Sequence, residues 1–208
     1  MIASLKRRLD RRRLRDPRYA YLFEPCERDE VVVLDTETTG LDPKRDAILS
    51  IGAVAVRDGK IRMGETFERL VHPEGPISEE SIKIHHLRAC DLEAADGAER
   101  VIDDLLDFVR NRPIVGYYIG FDHAILSRYV RERIGIALPN ETIELSSMYY
   151  RRYRKSSAYE FVDLKFDTIM QTLSLPMLGK HDALNDALMS ALIYLKLRTM
   201  PEYRGAYA

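Results

Sequence analysis

Val31-Val32-Val33-Leu34-Asp35-Thr36-Glu37-Thr38-Thr39-Gly40 is the stretch from which the fold is read. Its first four residues are apolar and three are β-branched, which predicts a short strand buried on both faces. Side chains alternate along a strand, so Asp35 and Glu37 point the same way at its end. Carboxylates are disfavoured in strands and costly to bury, and a divalent cation would neutralise both at once. The bland alternative is a strand end with exposed acids followed by a Thr-Thr-Gly turn.

Working outward, Ile48 to Val56 and Ile61 to Val71 predict two further strands. Asp58-Gly59 between them is a hairpin turn, since glycine tolerates positive φ. The period then changes. Val101, Leu105 and Val109, with Ile102 and Leu106 beside them, predict an amphipathic helix over 98–111. Pro113 ends it, and Ile114-Val115-Gly116 begins a short strand. Phe121, Ile125 and Tyr129 mark the next helix, with Gly135 as its stop; Thr142 to Leu145 predicts one more strand. Helical stretches follow near 162–173 and 182–198. Strands first, then alternating helices and strands, imply one α/β domain with a mixed five-stranded sheet flanked by helices.

Two other segments carry candidate chemistry. In Gly116-Tyr117-Tyr118-Ile119-Gly120-Phe121-Asp122 a strand runs into glycines and a helix opens with Asp122 in its first turn. Helix capping would explain an aspartate there equally well. In His181-Asp182-Ala183-Leu184-Asn185-Asp186-Ala187, positions five apart on a helix lie roughly 140° from alignment. His181 and Asp186 converge only if His181 lies in a loop ahead of the helix, which Gly179 permits. Asp182, four residues before Asp186, would share its face, and spacing does not choose between Asp182 and His181.

LDTETTG, GYYIGFD and HDALNDA, in this order over residues 31–198, resemble the three exonuclease motifs of the DEDDh family, the group of the proofreading epsilon subunit of bacterial DNA polymerase III. The resemblance implies a ribonuclease H-like fold and a 3′→5′ exonuclease that releases nucleoside monophosphates by a two-metal-ion mechanism. It implies Asp35, Glu37 and Asp186 as direct ligands of two divalent cations, Mg²⁺ or Mn²⁺, with Asp35 bridging them. Asp122 is implied as the fourth acid, acting largely through water, and His181 as general base, which sets Asp182 aside. The Thr38-Thr39-Gly40-Leu41 loop, His85 of Ile84-His85-His86-Leu87, and Phe121 are implied to hold the terminal nucleotide. Two departures stand out: Tyr117-Tyr118 replaces the family's usual His-Asn, and Ile143-Glu144-Leu145 occupies the place of a frequent Asp-Thr.

The expected substrate is a single-stranded or frayed DNA 3′ end, with a DNA polymerase as a candidate partner and homo-oligomerisation left open. A DEDDh exoribonuclease and a non-catalytic end-binding module are the competing readings.

The whole chain is compatible with these expectations. Its 208 residues suffice for one sizeable core, and 46% hydrophobic with 31% charged residues is ordinary globular composition. No run approaches the ~20 apolar residues of a membrane span, and no secretory apolar region opens the chain, so a cytoplasmic location is expected. Cys26 and Cys90 are far apart in sequence and are expected as reduced thiols. The net charge of −1 hides an asymmetry: eight basic residues against two acidic ones over 1–18 give +6, leaving −7 elsewhere. Residues 1–24 are therefore read as a basic arm and 25–208 as the exonuclease domain. The arm either supplies phosphate affinity or is simply a solvated helix. Tyr149-Tyr150-Arg151-Arg152-Tyr153-Arg154-Lys155 could stack bases and hold phosphates, or form a polar surface helix and loop. Gln171-Thr172-Leu173-Ser174-Leu175-Pro176 loosely resembles a sliding-clamp peptide, although Leu173 and Leu175 read more simply as core.

Overall fold

A computed structural model describes residues 2–26, 29–153, 161–179 and 181–201. The buried run forms β1 (Glu30–Thr38), and the hairpin strands are β2 (Ile48–Arg57) and β3 (Lys60–His72). Asp58 and Gly59 turn between them with φ of 51° and 68°. The remaining strands are β4 (Asp96–Gly97), β5 (Ile114–Gly116) and β6 (Thr142–Glu144). The sheet has six strands, in the order β4-β3-β2-β1-β5-β6, where five are expected. The extra strand is a two-residue pairing at the edge, too short for any hydrophobic pattern to announce it. β1–β2 and β2–β3 pair antiparallel, while β3–β4, β1–β5 and β5–β6 pair parallel.

Helices cover both faces. α1 (Ile2–Arg13) and a 3₁₀ turn at Pro17–Phe23 precede the sheet. α2 (Glu79–His85), α3 (Ala89–Leu92) and α4 (Ala98–Val109) follow β3. Next come α5 (Ile119–Ile134), α6 (Leu145–Tyr153), α7 (Phe166–Thr172) and α8 (Ala183–Thr199). Alternation along β1 separates two cores. Val32 and Leu34 pack with α4 and α5, whereas Val31 and Val33 pack with α6, α7 and α8. β1 thus lies between two helical layers, which is why its sequence is an unbroken apolar run rather than an alternating one.

The basic arm is fastened to the body. Arg7 donates to the carbonyls of Leu22 and Glu24, and Tyr19 and Tyr21 donate to Asp103 and Asp107 of α4, each at 2.7 Å. Tyr19, Leu22 and Phe23 belong to the α4/α5 core. Asn111, just ahead of β5, donates to the Glu24 and Pro25 carbonyls. The arm's attachment therefore lies at the end of β1 and β5 opposite to Asp35 and Glu37.

Of the aromatic and basic tract at 149–155, Tyr149 is buried and stacks on Tyr153, with ring centroids 4.2 Å apart. Arg154 and Lys155 lie outside the described residues. Leu173 and Leu175 pack in the α8-side core, which accounts for the apolar part of the segment resembling a clamp peptide. Among the described residues, no helix is long and apolar enough to cross a membrane.

Candidate active site

The site assembles where β1 runs out between its two helical layers. Asp35 and Glu37 project from the face toward α8, and Thr36 projects toward α5. The Thr36 hydroxyl donates to Oδ1 of Asp122 at 2.7 Å and pins that carboxylate to the strand end. Asp122 is buried in the first turn of α5. The layers thus deliver acids from both sides to one strand terminus.

α8 delivers the rest. Its N-cap is Asp182, whose side chain accepts the Asn185 amide at 2.9 Å. That bond occupies the carboxylate that spacing alone would have made a rival of His181. His181 precedes the cap in the loop, with a left-handed φ of 60°, and its amide donates to Oδ2 of Asp186 at 2.9 Å. Ligand atoms of Glu37, His181 and Asp186 all lie within 4.8 Å of one another.

α8 can come this close because of Gly52. This residue pairs with Asp35 across β1 and β2, so the two share the face toward α8. A Cβ on Gly52 would lie 2.1 Å from the Ala183 carbonyl carbon and 2.2 Å from the Leu184 nitrogen. The first turn of α8 rests directly on the missing side chain.

Electrostatics at the site are those of a crowded acid cluster. Burial, then repulsion from Asp122, Asp186 and Glu37, pushes Asp35 well above the usual carboxylate range. Burial, followed by Asp186, Asp122 and Asp182, pushes Glu37 up to about 7. Burial also raises Asp122 to about 7, against the opposing hydrogen bond from Thr36. The charged groups that act most on these three acids are other carboxylates.

Two clefts meet at the cluster. A small one of about 160 Å³ is bounded by Asp35, His181 and Asp186 together with Tyr117, Phe166 and Asp167. A larger one of about 530 Å³ is lined by Thr38, Thr39, Gly40, Leu41, His85 and Phe121, with Asp35, Glu37 and Asp122 at its floor. All eleven residues singled out from the sequence therefore border this one region. The sequence reading missed Tyr117 as the wall common to both clefts, Phe166 and Asp167 on α7, and the wall formed by α2. Ser78 caps α2 by accepting the Ser81 amide at 3.1 Å, and a serine followed by two acids was the available signal.

The loop between β1 and β2 is held by Asp46. Its carboxylate accepts the Thr39 hydroxyl at 3.2 Å and the Asp42 amide at 2.7 Å, and Arg128 donates to its carbonyl. Gly40 lies against that carboxylate, where a Cβ would stand 2.7 Å from Oδ2.

The model of the exonuclease family matches residues 32–194. The chain belongs to this exonuclease family. The match runs from β1 into α8, so it contains all four acids and His181. Among curated relatives, the PolC-type DNA polymerase III of Thermotoga petrophila is 30% identical over 174 residues, covering 84% of this chain but only 12% of the polymerase. The DNA polymerase III epsilon subunit of Aquifex aeolicus is 28% identical over 169 residues, covering 80% of this chain and 79% of the subunit. Among solved structures, E. coli exonuclease I in complex with a dT13 oligonucleotide superimposes with a TM-score of 0.69 at 13% identity, over 82% of this chain and 41% of that one. Exonuclease X in complex with 5′-overhanging duplex DNA gives 0.61 at 24% identity, over 80% and 90%. The fold is thus the ribonuclease H-like mixed sheet of the exonuclease family, and that family depends on divalent metal.

Proposed function

We propose that the chain is a 3′→5′ exonuclease that hydrolyses the last phosphodiester of single-stranded or frayed DNA ends and releases nucleoside monophosphates. One observation carries the reading: acids from β1, α5 and α8 converge with His181 beside a cleft. Burying like charges together without a counter-ion is costly, and a bound cation offsets that cost.

The donor set fits a hard divalent ion. Carboxylate oxygens predominate, which suits Mg²⁺ or Mn²⁺, and Asp35, Glu37, Asp122 and Asp186 would hold two of them. When bound, such ions activate water and stabilise the charge that develops on the phosphate and the leaving 3′ oxygen. The chain's own groups do the rest. His181, exposed and with its main chain pinned to Asp186, accepts the proton of the attacking water as general base. Asp182, occupied as the helix cap, stands aside.

The larger cleft receives the terminal nucleotide between the Thr38–Leu41 loop, His85 and Phe121. His85 is buried, and its Nδ1 accepts the Leu87 amide at 3.0 Å. The ring proton is therefore on Nε2, which is buried without a partner among the described residues. A substrate oxygen would satisfy it. Burial, and then His86 and His181, hold the His85 pKa below its ordinary value and keep the ring in this neutral form.

The names of the relatives favour DNA over RNA and a polymerase as partner, and we read the setting as replication or repair in the cytoplasm. We read residues 1–24 as an accessory arm to the catalytic unit of 25–208. The test is digestion of a 5′-labelled DNA strand, and of its RNA counterpart, with Mg²⁺, Mn²⁺ or EDTA. A ladder shortening from the 3′ end, abolished by EDTA and by Asp35→Ala, is expected on DNA. Stronger turnover of RNA would move the substrate assignment, and no cleavage of either strand would leave an end-binding module.

A further inference from the structure

The N-terminal arm carries a charge that its own attachment does not use. α1 is held through Arg7, and the 3₁₀ turn after it through Tyr19 and Tyr21 on Asp103 and Asp107. Asp103 also accepts from Arg133, and Asp16 from Arg18, so the acids beside the arm are engaged by other groups. Arg8, Arg11, Arg12, Arg13 and Arg15 are all exposed, and their guanidinium groups make no hydrogen bond or ion pair among the described residues. Arg8, Arg11 and Arg12, at i, i+3 and i+4, share one face of α1. Asp10, the single acid of this helix, lies about 160° around from Arg8 and Arg12. Arg15 adds a charge just past the helix end, its side chain lying over Gly135 at the close of α5.

The position of this face separates it from the acid cluster. The Arg15 amide donates to the Ile134 carbonyl at 2.9 Å in the last turn of α5, whereas Asp122 occupies the first. Between them the helix rises about 18 Å, so a nucleotide seated at the acids does not touch the arginines. Like charges crowded on one helical turn repel, and a ligand with repeated anionic groups relieves that repulsion while releasing its counter-ions. Guanidinium matches phosphate with paired hydrogen bonds. A membrane surface is also anionic, but a helix lying in it buries a broad apolar face. Leu5 and Leu9 are the only exposed large apolar side chains among the described residues of α1. Resting on the exonuclease reading for the choice of polyanion, we propose that the arginine face of α1 is a second nucleic-acid site, which grips the phosphate backbone and requires no 3′ end. It reads no sequence, and it retains the protein on a strand wherever that strand terminates.

The test uses a circular single-stranded DNA, which offers the cleft no 3′ end, with EDTA present. Binding is measured between about 50 and 200 mM salt for wild type, R8Q/R11Q/R12Q/R15Q and the charge-keeping R8K/R11K/R12K/R15K. All four positions are exposed, so both variants should melt with wild type. Wild type is expected to bind the circle with a slope of log K against log salt of about −2 to −3. The glutamine variant should bind about tenfold more weakly at the lower salt, with a slope smaller by about 2, while the lysine variant keeps the wild-type slope. Turnover of the p-nitrophenyl ester of thymidine 5′-monophosphate, one nucleotide long, should be the same in all three. Equal binding of the circle by wild type and the glutamine variant would overturn the proposal. So would arginine-dependent binding to phosphatidylglycerol vesicles that exceeds binding to the circle, which would make α1 a membrane contact. Wild type that binds the circle through these arginines yet cleaves neither a linear strand nor the ester with Mg²⁺ or Mn²⁺ would uphold the second site and overturn the hydrolytic reading.

Discussion

The main-chain amide of His181 donates to the Asp186 carboxylate at 2.9 Å, so two residues that a continuous helix would set roughly 140° apart serve one cleft. The left-handed φ of 60° at His181 makes this turn, and asparagine tolerates that conformation better than alanine does. His181→Asn should therefore melt within about 1 °C of wild type while kcat falls about 10²- to 10⁴-fold and KM changes little. Near-normal turnover of a folded His181→Asn enzyme would remove His181 from the mechanism.

Metal and protons should compete for the acid cluster. Glu37 and Asp122 have folded-state values raised to about 7, above those of the unfolded chain. The folded state thus binds the extra protons, and the associated stability is full below the unfolded values and is lost as pH rises through about 7. The metal-free protein should lose melting temperature between about pH 5 and pH 8 on this account. Saturating Mg²⁺ or Mn²⁺ should restore about 5–10 °C at the upper end and little at the lower. Asp35→Asn, which relieves one repulsion, should raise the metal-free melting temperature and abolish most of the metal-induced gain. Thermal melts across this range decide the matter, and an equal metal gain at both ends would contradict it.

The Nε2–H of His85, without a partner among the described residues, gives two observables. Long-range ¹⁵N–¹H spectra of the free protein should show the Nε2-protonated ring, with its signals moving when thymidine 5′-monophosphate is added. His85→Phe should raise KM about tenfold with kcat altered less than threefold, as expected for loss of a buried neutral hydrogen bond to the substrate. A KM equal to wild type would leave His85 as a wall residue only.

Gly52 is expected to be intolerant of any side chain. Gly52→Ala forces a methyl group onto the backbone of Ala183 and Leu184, contacts that no rotamer change relieves. Overpacking of this kind costs about 1–3 kcal/mol or more, or about 5–10 °C of melting temperature. Activity should fall further than stability, because the displaced turn carries His181 and Asp186. A Gly52→Ala protein with wild-type kcat and melting temperature would show that α8 does not rest where the structure places it.

Legibility in the sequence followed the length of each signal. The apolar run of β1, the hairpin strands and the periodic helix α4 carry patterns long enough to read. Residues 73–97 do not: α2 and α3 are single short pieces, and β4 is two residues long. The helix anticipated from 162 begins only at Phe166, because the Asp163 carboxylate takes the Lys165 amide and the Thr168 hydroxyl, both local bonds that favour a turn. At the site, the two β1 acids were legible from alternation alone. Spacing alone left the pairing of His181 with Asp186 undecided against Asp182, because it depends on one left-handed residue. The packing space at Gly52 was equally hidden, since a glycine in a strand does not reveal what comes to lie above it.

That contact leaves no slack. A residue held by the absence of a neighbour's side chain can be kept or lost but not adjusted by degrees, and α8 is such a case. The spacing between the β1 acids and the His181 turn is accordingly a fixed dimension of the scaffold. Adaptation to a new substrate has to proceed through the walls, where the Thr38–Leu41 loop and Tyr118 can vary without moving the floor. Directed evolution of this chain should therefore accumulate its gains at the rim and leave position 52 unchanged.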